Sequence, residues 1–230
     1  MTGANVLVVA AHPDDEILGC GGCIAKHAAS GDSVNILILA EGATSRDEER
    51  NVESKAGQVS ALQQAAREAA DRLGALPPRF CGLPDNRLDS LILLDIVKRI
   101  EAVVAEVQPS IIYTHHGGDL NIDHRITHQA VVTACRPVPQ STVKAIYSFE
   151  TLSSTEWSSP AIGTSFHPTR FVDIKEFLGQ KLNALEAYSD EMMDFPHARS
   201  IEGVKALARL RGVSAGMEAA EVFIVERELC

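Results

Sequence analysis

The run Val6-Leu7-Val8-Val9-Ala10-Ala11 contains no polar side chain and stops abruptly at His12-Pro13-Asp14-Asp15-Glu16. Such a run reads as a buried strand. The polar cluster at its end is costly: carboxylates this close repel one another and raise each other's pKa, so a bound cation or water must reward keeping them together. The cluster is therefore read as half of a metal site. The other half is expected at Asn121-Ile122-Asp123-His124, after a second apolar run, Ser110-Ile111-Ile112-Tyr113-Thr114.

Around these runs, strand and helix patterns alternate. Residues 5–10, 34–39, 79–82 and 110–114 read as strands. Residues 16–30, 50–73 and 91–107 show helical spacing, the second through Val52, Ala56, Val59, Leu62, Ala66, Ala69 and Leu73. Gly74 and Pro109 end two of these helices. Alternation of this kind implies right-handed crossovers and an α/β, Rossmann-like fold, a mostly parallel sheet with helices on both faces. Later segments are less regular: strands near 143–149, 169–173 and 220–227, helices at 175–188 and 201–212, and a Ser/Thr/Pro-rich loop at 151–168 that serves as a lid, a substrate wall or plain surface. A single domain over 1–230 is expected, with its core in about 1–150 and 151–230 completing the site.

Composition narrows the function classes. A net charge of −10 argues against a nucleic-acid partner, which would call for clustered Lys and Arg. No apolar run reaches the length of a membrane span, and no signal-type segment opens the chain, so a cytoplasmic location is expected. Five scattered cysteines read as reduced thiols. Cys20 and Cys23 have the spacing of a redox or zinc pair but no second such pair, and packed thiols are the favoured reading. The glycines at 19, 21 and 22 form no phosphate-binding pattern, and Asp14 and Asp15 would repel a phosphate.

Topology brings the two polar clusters together. In a doubly wound sheet, ligands bind at the carboxyl ends of the strands where the strand order reverses, and the first and fourth core strands flank that crevice. Pro13 fixes the backbone after His12, so a short turn aims His12 and Asp15 at one point with Asp14 beside it. A His, Asp, His set leaves an open position for water on a zinc ion, and a free carboxylate beside it accepts the proton. A capped helix start would explain one acidic residue but not His12 or the preceding strand. His128, four residues after His124 and on the same helical face, is the alternative third ligand. His27, His167 and His197 have no evident metal partner, and the charge run from Arg46 to Arg50 reads as a solvated helix start.

Taken together, Ala11-His12-Pro13-Asp14-Asp15-Glu16, Leu18-Gly19, Gly21-Gly22, Arg67-Glu68, Leu73-Gly74, Asp85, Arg87-Leu88, Asp123-His124, Arg211-Gly212, Gly216, Ala220-Glu221 and Phe223 resemble the LmbE-like, or PIG-L-like, zinc-dependent N-deacetylases. The resemblance implies His12, Asp15 and His124 as ligands of Zn2+ or another divalent cation, Asp14 as general base, and Arg67 and Asp85 as substrate-binding positions. The chain departs from the family at one place. Many members carry His-Pro-Asp-His, whose first His supports the oxyanion, and this chain has Asn121 there; the Asn121 amide, His115 or His116 is the candidate donor. The implied activity is removal of an N-acetyl group from an amino-sugar-containing small molecule, by a protein free to form a homo-oligomer. An amidase acting on a thiol conjugate or other acyl amide, and a non-catalytic carbohydrate- or nucleotide-binding module, are the alternatives.

Overall fold

The computed structural model describes residues 3–45 and 50–230. Most of the Arg46–Arg50 charge run therefore lies outside the described residues. Five parallel strands, β1 (Asn5–Ala10), β2 (Ser33–Ala40), β3 (Arg79–Leu83), β4 (Ile111–His115) and β5 (Ala145–Phe149), form the centre of one sheet. Two later strands, β6 (Arg170–Asp173) and β7 (Ala220–Glu228), extend it in the order β3-β2-β1-β4-β5-β7-β6, with β7 antiparallel to both its neighbours.

The apolar run of β1 is explained by cover on both faces. Val6, Val8 and Ala10 pack into a core with α1 (Asp15–Ala29), α2 (Ala56–Leu73), α5 (Leu178–Leu185) and α6 (Ile201–Val213). Leu7 and Val9 point the other way, into a core with α3 (Leu93–Val107) and α4 (Ile122–Ala134). Because both sides of the strand are buried, neither side needs polar residues. β1 and β4 are adjacent, and the chain leaves them in opposite directions across the sheet, so the crevice expected from topology opens above their carboxyl ends.

The structure departs from the expected elements at three places. α2 begins at Ala56 rather than near residue 50, because Val52 is exposed and supplies no buried contact to extend the helix. The helix expected over 175–188 is a 3-10 turn, the short α5 and a second 3-10 turn. α1 loses helical geometry at Cys20 (φ −147°). Just past that break, the N–H groups of Gly22 and Cys23 donate to the Glu221 carboxylate of β7 at 2.8 and 2.7 Å. Glu221 thus caps the second half of α1 from across the fold, and buried Lys181 of α5 neutralises it at 2.6 Å. The small residues here are obligatory: a Cβ on Gly19 would lie 2.2 Å from the Phe149 ring, and one on Gly22 would lie 2.8 Å from Ile174. Cys20 and Cys23 are buried free thiols in this packing. No helix among the described residues is long and apolar enough to cross a membrane.

Candidate active site

A cavity of about 590 Å3 opens above β1 and β4. His12, Asp14, Asp15, Asp85, Asn121 and His124 all line it, and the later part of the chain adds Ser153, Tyr188, Asp190 and Arg199 to its wall. His12 and the two acidic residues come from the turn between β1 and α1, where Asp14 is held in the left-handed region at φ 97°. Asp14 sits at the N-cap of α1, yet its side chain makes no capping bond. Its carboxylate is therefore free to face the cavity, which argues against a purely structural helix cap.

Asp15 is the hub of the cluster. Its Oδ2 lies 3.2 Å from His12 Nδ1 and 3.2 Å from His124 Nε2, and His12, Asp15 and His124 each offer a ligand atom within 4.8 Å of the others. Burial opposes ionisation of Asp15, but His124 and the hydrogen bond from His12 hold its carboxyl well below the usual range. Burial likewise disfavours charge on His124, yet Asp15 and Asp119 raise its imidazole to about 9. The pocket thus attracts positive charge at the point where two nitrogens and a carboxylate oxygen converge. That donor set suits a divalent cation, with the ligands giving up protons as it binds.

Carboxylates back both imidazoles, as metal-binding histidines require. Asp123 Oδ2 lies 3.1 Å from His12 Nε2, and Asp119 Oδ1 lies 3.1 Å from His124 Nδ1. Each is anchored in turn. Asp123 accepts the N–H groups of Asn86 and Leu88 at 2.7 and 2.9 Å, while Asp119 accepts the Asn121 N–H at 2.9 Å and the hydroxyls of Ser154 and Thr155. The sequence suggests Asp123 as a cap of its helix or as an orienting group; the cap is Asn121, whose Oδ1 accepts the Asp123 N–H at 2.8 Å. His12, Asp85 and Asp123 form a second convergent group, but Asp123 is already committed to two backbone donors.

Several residues singled out in the sequence do not line the cavity, although His115 Nε2 lies 3.5 Å from Asp15 Oδ2. His115 is fully buried, stacks on His124 at 3.9 Å between ring centroids, and accepts the Ala11 N–H on Nε2 at 2.9 Å. Burial and the neighbouring His124 hold it neutral, and it does not line the cavity. His116 Nε2 pairs with the Thr164 carbonyl at 2.7 Å, also away from the cavity. His128 Nδ1 is directed at the His115 carbonyl at 2.9 Å and is not part of the ligand cluster. Arg67 is exposed on α2 with its guanidinium over the Phe80 ring, outside the cavity wall. Asp85 does reach the site, with Oδ1 3.3 Å from His12 Nε2 and Oδ2 accepting the Ser45 N–H at 3.0 Å. Asn121 also lines the wall, its Nδ2 donating to Asn86 Oδ1 at 2.9 Å.

Sequence reasoning missed Asp119, Arg199 and the Glu16–Tyr188 contact of 2.6 Å beneath the Asp14 turn. The need for a carboxylate behind a metal-binding histidine was a usable signal for Asp119. Arg199, in an irregular segment, gave none.

The PIG-L model, described as GlcNAc-PI de-N-acetylase, matches residues 7–135, more than half of the chain. The chain belongs to the PIG-L family. Among similar proteins, the "Uncharacterized deacetylase YaiS" of Escherichia coli is 30% identical over 190 residues, covering 80% of this chain and 90% of that one. The "Probable N-acetyl-alpha-D-glucosaminyl L-malate deacetylase 2" of Bacillus cereus is 28% identical over 202 residues, covering 85% and 88%. The N,N'-diacetylchitobiose deacetylase of Pyrococcus horikoshii superposes with a TM-score of 0.78 at 18% identity, covering 97% of this chain and 84% of that one. GalB, the 4-carboxy-2-hydroxymuconate hydratase of Pseudomonas putida, superposes with a TM-score of 0.75 at 23% identity, covering 100% and 98%. The same fold therefore carries a hydratase, and the deacetylase assignment rests on the family match, not on shape alone. As a PIG-L protein the chain is a hydrolase of the N-deacetylase class.

Proposed function

We propose that this PIG-L protein is a zinc-dependent deacetylase that hydrolyses the acetamide of an N-acetylglucosamine-bearing small molecule. The observation that carries the reading is the convergence of His12, Asp15 and His124 on one cavity wall with the uncapped Asp14 carboxylate beside them. His12, Asp15 and His124 would hold the cation, which supplies Lewis-acid polarisation of the amide carbonyl and lowers the pKa of a bound water.

The chain's own groups do the rest. Burial pushes the Asp14 carboxyl up to about 7, against the pull of Arg199. Asp14 takes a proton from the attacking water and returns it to the departing nitrogen, so acetate and the free amino sugar form from amide and water. Asp123 and Asp119 keep the two imidazoles oriented. Asn121 places an amide N–H at the wall, where it supports the developing oxyanion without titrating. The substrate class is that of the family and of the Bacillus relative, whose names share N-acetylglucosamine.

The test is acetate release from a panel of N-acetylglucosamine conjugates and unrelated acyl amides, with metal content measured in parallel. Asp14→Asn is expected to keep its metal and lose about two to four orders of magnitude in turnover. His124→Ala is expected to lose the metal. Turnover of thiol-conjugate amides alone would favour the amidase alternative, and metal without turnover of any amide would favour a binding module.

A further inference from the structure

Two of the non-glycine residues in the left-handed region, Asp14 (φ 97°) and Ser153 (φ 63°), both line the cavity, and a single guanidinium joins their side chains. Arg199 Nη1 lies 2.9 Å from Asp14 Oδ2, and Arg199 Nε donates to Ser153 Oγ at 3.2 Å. The contact spans 185 residues of sequence. Backbone conformations of this kind persist where the surroundings over-determine them, and they concentrate at sites where a side chain must be aimed.

Arg199 is itself well fixed. Its N–H donates to His197 Nδ1 at 3.1 Å, its carbonyl accepts the Met193 N–H at 3.0 Å, and the next residue, Ser200, caps α6 by accepting the Gly203 N–H. A planar guanidinium so held grips one oxygen of Asp14, which sets the rotation of the carboxylate. A lysine could reach one acceptor but could not bridge both in a fixed plane.

We propose that Arg199 is a positioning residue: it aims the Asp14 carboxylate at the attacking water and ties that aim to the C-terminal segment through Ser153. The proposal rests on the reading of Asp14 as the base. Misplacing a reacting group by about 1 Å costs on the order of a hundredfold in rate. Arg199→Ala is therefore expected to lower kcat by about ten- to a hundredfold while KM and metal content stay near those of the parent.

The experiment measures acetate release from N,N'-diacetylchitobiose and from N-acetylglucosamine by the metal-loaded parent, Arg199→Ala, Arg199→Lys, Asp14→Asn and the Asp14→Asn/Arg199→Ala double variant. Ethylguanidinium is expected to restore a large part of the Arg199→Ala loss and nothing in Asp14→Asn. Arg199→Lys is expected to fall between the parent and Arg199→Ala. Because Arg199 acts through Asp14, the double variant should be no slower than Asp14→Asn alone. Full kcat in Arg199→Ala, a loss confined to KM, or losses that multiply in the double variant would each overturn the proposal. Should Arg199→Ala fail to fold, the lysine variant and its double with Asp14→Asn give the same comparison. Near-parent turnover in Asp14→Asn would instead reject Asp14 as the base, a distinct result.

Discussion

Asp123 Oδ2 sits 3.1 Å from His12 Nε2 while Asp15 Oδ2 sits 3.2 Å from His12 Nδ1, so one imidazole is gripped by carboxylates at both nitrogens. The Asp123 side fixes the tautomer and orientation of the ring, leaving Nδ1 to face the ligand cluster. Asp123→Asn is therefore expected to weaken cation affinity by about 10- to 100-fold without abolishing binding. Competition with a chelator of known affinity measures this. An unchanged affinity would show that His12 is held well enough by its backbone alone.

The β1 run and the polar turn after it were legible in the sequence because the signal is contiguous: burial and chemistry fall within a few residues of each other. The β1/β4 crevice was legible because parallel topology restricts where such a turn can open. Arg199 was not, since its contact with Asp14 depends on the path of an irregular segment 185 residues away. The break at Cys20 was hidden for a similar reason, because the acceptor that stabilises it lies in β7. Arg67 is the instructive case in the other direction. Ala66, Ala69, Ala70 and Leu73 form the buried face of α2, while Gln58, Ala61, Ala65 and Glu68 line the cavity, and Arg67 falls on neither stripe and lies over Phe80 instead.

The Asn121 amide makes the oxyanion question testable with three variants. Asn121→Ala is expected to lower kcat by about tenfold or more, whereas His115→Ala and His116→Ala act through packing. Metal content must be checked in each, because His115 stacks on His124 and Asn121 caps the helix that carries it. A large kcat loss confined to a histidine variant would move the donor there.

The buried pair of Glu221 and Lys181 has a different consequence. Removing the Glu221 carboxylate strands the Lys181 ammonium and two backbone N–H groups in the core. Glu221→Ala is expected to destabilise the protein by about 3–5 kcal/mol. Denaturant unfolding of the variant, followed by far-UV circular dichroism, gives the number. A cost below about 1 kcal/mol, the range of exposed ion pairs, would mean that water reaches the break in α1.

Thiol reactivity reports on the same packing. Burial pushes the Cys20 and Cys23 thiols well above their ordinary range and Cys135 up to about 12, while Cys230 is exposed. Only thiolate reacts appreciably. A disulfide reagent added to the folded protein is expected to modify Cys230 first, with Cys20, Cys23 and Cys135 labelled only on unfolding. Peptide mapping identifies the order, and rapid labelling of Cys20 or Cys23 would contradict a packed helix there.

Far from the site, Asp32 joins the turn after α1 to the start of the chain. Its Oδ2 lies 2.7 Å from His27 Nδ1, and its Oδ1 accepts the Ala4 N–H at 2.7 Å. Burial works to raise its pKa, but the His27 and Ala4 contacts outweigh that and hold the carboxyl below its ordinary value of 3.8. An acid whose folded pKa is depressed binds fewer protons folded than unfolded, so its contribution is complete above 3.8 and is lost as pH falls through the lower folded value. Asp32→Asn is thus expected to be less stable than the parent at pH 6, with the gap narrowing as both are taken below pH 4. Urea midpoints measured for the two proteins across that range decide it; a gap that stays constant would assign the Asp32 contribution to geometry rather than to its charge.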